Sequence, residues 1–357
     1  MKVLALATLI AATASIAHAQ SSVTLYGRLD AGIEYLTGIP SANGGSTSRV
    51  RAESGNWGTS LWGLMGSEDL GGGTRAVFHL EGSFNTMNGQ LGSTGSIWNR
   101  WATVGFSDDR YGTVLLGREL FISNGLWDFD PFGQTSWSSG SLVRGRNWPQ
   151  SSNNISYQSP HVAGFDIYGQ YALSNATNWN GNGTTSQGRE DGVQLTYTAS
   201  AFQIRGIYDE IRNPANGRLN DVFQYSREYF VGANVFLGPV KLQAAYQASH
   251  ASGVASGAPS TTQLEWGGVT WQASPAASLI GAVYHVNANN GGGNATIYTV
   301  GGTYSLSKRT LLGFQAATVR NSKSGTFGLE ANLPGNTGNP LAGHSQSGVY
   351  AGIEHMF

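Results

Sequence analysis

The chain has 357 residues and a formal net charge of −1, from 20 Lys and Arg against 21 Asp and Glu, so 11% of its residues are charged. A soluble domain carries about 25%, so this surface is not an ordinary water-facing one, and nothing in the charge balance points to nucleic acid. The sequence has no cysteine, which rules out disulfides as a source of stability.

The N-terminus has the layout of a signal peptide over residues 1–19. Lys2 gives the basic start, residues 3–16 are apolar or small, and Ala17-His18-Ala19 is an A-x-A cleavage site. The remaining domain is then 20–357, exported from the cytoplasm. No later run approaches the roughly 18 apolar residues that a membrane helix needs. Low charge, 51 Gly and many aromatics instead fit a membrane β-barrel, whose alternating strands hide an apolar outer face.

The first strand is the clearest. Val23, Leu25, Gly27, Leu29, Ala31, Ile33 and Tyr35 share one face, and Thr24, Tyr26, Arg28, Asp30 and Glu34 the other. That run exceeds the usual soluble strand and suits a tilted membrane strand of about 9–11 residues. A polar Gly/Ser loop is expected to about Asn56. Strands are then predicted over 59–67, 76–84, 98–106 and 113–119. After a long segment they resume at 153–159, 165–173, 192–199, 202–209, 228–237, 240–249, 264–273, 279–286, 297–306, 311–319 and 348–357. Short turns such as Gly238-Pro239 alternate with long loops over 174–187, 213–223, 251–261 and 321–346, as in outer-membrane barrels. No blade-length repeat suggests a propeller. The last residue, Phe357, reads as an interfacial aromatic on a strand that closes the barrel against the first.

The segment 120–150 breaks the pattern. It runs through Asp128-Phe129-Asp130-Pro131-Phe132-Gly133 and on to Arg144, Arg146 and Pro149. A connection of about thirty residues without strand pattern is usually functional or disordered, and this one is too aromatic for disorder. Inside a barrel it would narrow the channel.

Short motifs in a fixed order then carry a resemblance. They are Val23-Thr24-Leu25-Tyr26-Gly27, Gly66-Ser67-Glu68-Asp69-Leu70-Gly71, Val104-Gly105-Phe106, Gly117-Arg118 and Asp130-Pro131-Phe132-Gly133. Tyr157-Gln158-Ser159-Pro160 with Gly164-Phe165, Tyr304-Ser305-Leu306-Ser307-Lys308-Arg309-Thr310 and the terminal Phe357 complete them. Together they resemble the general porins of Gram-negative bacteria, in particular the Burkholderia-like and Neisseria-like group. The resemblance implies an all-β fold, a transmembrane antiparallel 16-stranded β-barrel with a long third loop folded into the lumen. It also implies a homotrimer in outer-membrane lipid, passing small hydrophilic solutes and ions by passive diffusion without cofactor or metal.

In such a pore acids on the loop face a ladder of bases across the constriction. The acidic candidates are Asp128 and Asp130, beside the Pro-Phe-Gly turn, and Glu119 at the loop's start; either aspartate could instead cap the turn. The basic candidates are Arg28, placed inward by parity, Arg100, whose parity is ambiguous, then Arg75, Arg118, Arg144 and Arg146. Leu61, Met65, Gln150 and Ser156 stand where the family usually carries bases, so the ladder is thinned. Leu61, Met65, Trp127 and Phe129 are expected to form a partly apolar lining, in a weakly selective pore or one tuned to less charged solutes.

No catalytic or metal-ligand spacing stands out among the seven His, His79 and His285 included. Two other readings stay open: a solute-specific channel of the same fold, and a secreted carbohydrate-binding β protein.

Overall fold

The computed structural model describes residues 22–173, 188–330 and 337–357. The expected signal peptide and the loop 174–187 lie outside the described residues. The strands are β1 (Ser22–Pro40), β2 (Ser46–Glu53), β3 (Leu61–Gly71), β4 (Thr74–Ser83), β5 (Trp101–Asp108) and β6 (Gly112–Leu120). After the long segment come β7 (Gln150–Gln158), β8 (Phe165–Ala172), β9 (Glu190–Thr198), β10 (Phe202–Ile211), β11 (Arg227–Leu237) and β12 (Val240–His250). The last are β13 (Thr261–Gln272), β14 (Ala277–Ala288), β15 (Gly293–Ser305), β16 (Thr310–Asn321) and β17 (Gln346–Met356).

All pairings are antiparallel, and β1 closes on β17 in register from Arg28↔Met356 to Leu36↔Gly348. Gly27 and Phe357 exchange backbone hydrogen bonds of 3.1 Å at the seam, so the terminal aromatic sits where the sequence placed it. Period-two alternation puts Val23 and Ile33 outside, 65% and 63% exposed, and Asp30 and Glu34 inside, both 1% exposed. This inversion of the soluble pattern is what a lipid-facing barrel requires.

The barrel has sixteen staves from seventeen strand segments, because one stave is split. The lower half of β1 pairs with β3 and its upper half with β2. The expected loop from 36 to 56 is therefore corrected: much of it is strand. Arg49 and Arg51 of β2 point inward onto Glu34 of β1, at 3.0 and 3.1 Å. Between β2 and β3, residues 54–60 leave the wall and turn into the lumen. Asp30 of β1 holds them there, accepting from the backbone N–H of Gly55 (2.9 Å) and Asn56 (3.1 Å).

Residues 121–149 also fold inward, with 3₁₀ turns at Ile122–Phe129 and Ser139–Ser141. The segment lies on the inner faces of β9 to β17 and does not span the lumen freely. Trp266 Nε1 donates to the Phe129 carbonyl (2.8 Å), Asn234 to the Asp128 carbonyl (3.0 Å) and Thr299 Oγ1 to the Trp137 carbonyl (2.6 Å). Phe129 seats edge-on to Phe230, and it does so because β11 has Gly232 beneath it: a Cβ there would lie 2.7 Å from the Phe129 ring. The buried apolar cluster of the molecule is this loop–wall contact, with Phe129, Trp137, Tyr284 and Ile297 at its centre.

Candidate pore constriction

The two inward segments, 54–60 and 121–149, meet. Trp57 packs edge-on against Phe132, ring centroids 6.1 Å apart. Beside them a space of about 270 Å³ is lined by Arg28, Trp57, Arg100, Trp127, Phe132 and Trp148, among others. A second space of about 470 Å³, lined by Ser54, Asn85, Ser93, Asn99, Asn147 and Gln150, shares Arg100 and Trp148 with it. This polar chamber opens into an aromatic slot that two arginines border.

Arg28 stands inward on β1, as parity required. Its Nε donates to the Thr59 carbonyl (2.9 Å) and lies 3.6 Å from Glu354 of β17. Gly58 is what lets residues 54–60 pass over this pair; a Cβ there would fall 2.8 Å from the Arg28 Cζ. Arg100 precedes the first residue of β5, so strand parity does not govern it, which resolves its ambiguity. Its Nε donates to Glu81 of β4 at 2.6 Å. On the loop side Gln134 orients both tryptophans. Its side-chain oxygen accepts from Trp127 Nε1 (2.6 Å) and its backbone carbonyl from Trp148 Nε1 (2.9 Å).

The acidic candidates do not face these arginines. Asp130 is 4% exposed and lies behind the loop. It accepts from the Phe132 N–H, the Tyr284 hydroxyl and Ser139, so it fixes the turn and ties it to β14. Burial pushes its carboxyl above the ordinary range, against the pull of these donors. Glu119 is fully buried at the loop's root and accepts from Ser156, Tyr168 and Gln170. Asp128 does reach water, 60% exposed at its side chain, but its partner is Arg205 of β10 at 2.6 Å. The two line a separate space of about 370 Å³ on the short-turn side of the loop.

Four of the basic candidates also stand elsewhere. Arg75 pairs with Asp109 at the short-turn rim (2.7 Å). Arg118 is held in the wall at a bulge between β6 and β7, donating to the Asn99 carbonyl (2.7 Å) and to Ser152. Arg144 lies over the Phe327 ring at 3.8 Å and donates to Thr326 (2.8 Å), tying the third loop to the one before β17. Burial lowers its guanidinium to about 10. Arg146 is sealed against Asp209 and lies 3.4 Å from Glu228. These last two fasten the loop; they do not meet solute.

Of the apolar candidates, Trp127 lines the slot. Phe129 is wholly buried against the wall, and Leu61 is 8% exposed. Met65, 42% exposed, faces inward by its register with Thr24 and His79, nearer the short-turn end. Sequence reasoning missed Trp57, Trp148, Glu81, Glu354, Arg205 and Lys241, the last of which donates to the Asp128 carbonyl (3.2 Å) beside Arg205. Parity could have found Arg205 and Lys241, which alternate with Ile204 and Leu242 on strands already recognised. Nothing in the sequence marked Trp57, which falls between a loop expected to end at about Asn56 and a strand expected from Thr59.

The profile of the Gram-negative porin family matches residues 5–324. An outer membrane porin protein of Bordetella pertussis is 32% identical over 263 residues, 69% of this chain and 68% of that one. Outer membrane porin protein 32 of Delftia acidovorans is 30% identical over the full length of both chains. Among solved structures, an anion-selective porin from Comamonas acidovorans superposes with a TM-score of 0.79 at 28% identity, covering 95% of this chain and 100% of that one. The closed barrel, the inward third loop and these matches together show that the chain belongs to the Gram-negative porin family, as an outer-membrane channel through which small hydrophilic solutes diffuse passively.

Proposed function

We propose that this porin is a weakly charge-selective diffusion pore whose eyelet is the slot between Arg28, Arg100 and the facing tryptophans. One observation carries the reading: each eyelet arginine has its own carboxylate on the wall, Glu354 at 3.6 Å and Glu81 at 2.6 Å. An acid a few ångströms away cancels most of a base's field beyond the Debye length of about 8 Å at physiological salt. The loop surface opposite is aromatic, so no transverse field of acid against base spans the opening. The Comamonas porin is anion-selective; paired arginines and a thinned ladder lower that preference here.

The pore acts as a channel and not as an enzyme. It assembles as a homotrimer in outer-membrane lipid, for which the apolar outer wall of β1, with Val23, Leu25 and Ile33, offers a contact face. Residues 1–19 serve as the cleaved export signal.

The test is the reversal potential in a planar bilayer under a KCl gradient. The expected anion-to-cation permeability ratio stays within about tenfold, or about 1.4 kcal/mol. Glu81→Gln and Glu354→Gln free their arginines and shift the potential toward anions; Arg100→Ala shifts it toward cations. A strong anion preference of the unmodified pore, unaffected by Glu81→Gln, would overturn the reading.

A further inference from the structure

We propose that the slot binds planar aromatic monocarboxylates, with Trp57 as the residue that makes it a site and not merely a narrow place. The inference rests on the reading of this slot as the pore's eyelet.

Both arginines are anchored through Nε, Arg28 to Thr59 and Arg100 to Glu81. Among the described residues, none bonds to their terminal nitrogens. The outer fork of a guanidinium is the part that matches a carboxylate with two parallel hydrogen bonds. The wall carboxylates thus cancel long-range field while leaving short-range donors free, which suits recognition on contact better than steering from a distance. Opposite, the indole N–H groups of Trp127 and Trp148 are both spent inside the loop on Gln134. Their polar handles are satisfied by protein, and the rings are fixed before any solute arrives. Trp57 completes the set from the other side, held edge-on to Phe132 and close over Gly313 of β16. Fixed aromatic surface and a free fork bordering one space of about 270 Å³ suit a flat ring that ends in one carboxylate. Ring–ring contact adds discrimination that an aliphatic acid of equal size does not gain, and preorganisation keeps the cost of binding low.

Residues 54–60 exist as an inward segment only because the second stave is interrupted. Trp57 therefore belongs to the split between β2 and β3, not to the third loop.

The experiment measures single-channel current of the full-length porin in a planar bilayer with benzoate, cyclohexanecarboxylate, acetate or benzyl alcohol added. Benzoate is expected to interrupt the current saturably, with a half-blocking concentration roughly two- to tenfold below that of cyclohexanecarboxylate. Acetate and benzyl alcohol, each lacking one half of the match, block less. Trp57→Ala raises the benzoate value to that of cyclohexanecarboxylate, and Trp57→Phe restores part of the difference. Equal block by benzoate and cyclohexanecarboxylate, or an unchanged benzoate value in Trp57→Ala that still conducts, overturns the site. The KCl reversal potential in the same bilayers separates the two readings. A weak preference without aromatic discrimination overturns the slot alone, whereas a strong anion preference overturns the eyelet reading as well.

Discussion

At the scale of single residues, the two aspartates of the third loop do different work, and the two-residue spacing between them hides it. Asp128 is at the water-filled side with Arg205. Asp130 is turned behind the loop, where four donors from Phe132, Ser139 and Tyr284 converge on it. Replacing Asp130 by Ala leaves buried donors unmatched, each worth about 1–3 kcal/mol. The expected result is a lower unfolding temperature in detergent and noisier open-channel current, with an unchanged reversal potential because no pore-facing charge is lost. Asp128→Asn should do the opposite, leaving stability within about 0.5 kcal/mol. In a strand, parity tells an inward side chain from an outward one; in a loop nothing local does. That is why Arg28 was readable from the sequence, and why Asp130, Arg144 and Arg146 were not.

Among the elements, legibility follows where a strand's outer face meets lipid. β1 declares itself because Val23 to Ile33 alternate against hydrocarbon. β2 does not, since Ser46, Thr47 and Ser48 are all exposed, so no apolar face marks it as strand. β13 inverts the pattern near its start. Leu264 and Trp266 are buried inward under the third loop while Glu265 points out, so its apolar residues follow the loop and not the membrane. The loop's seat depends on such local accommodation. Gly232→Ala would press a methyl group onto Phe129 and Phe230, which leave no room for it. The expected cost is about 1–3 kcal/mol, read as a lower unfolding temperature, with single-channel conductance reduced because the loop is displaced toward the opening.

For the whole molecule, closure is a property of both chain ends at once. Removing Phe357 deletes both of its hydrogen bonds to Gly27 together with the ring packed there. The loss is on the order of 2 kcal/mol, concentrated at the one seam that joins first stave to last. Refolded protein lacking Phe357 should therefore unfold in detergent at a lower temperature than the full chain. The fastening of the third loop has a consequence of its own, in volts. A potential of 100 mV does about 2.3 kcal/mol of work on one charge carried across the whole membrane. Lifting the loop from its wall would break the Arg146 pairs, the Asp130 cluster and the bonds to Trp266 and Thr299 together, while carrying its few charges through only part of that field. The third loop is therefore expected to stay seated, with single-channel conductance constant as the applied voltage is raised to about 100 mV.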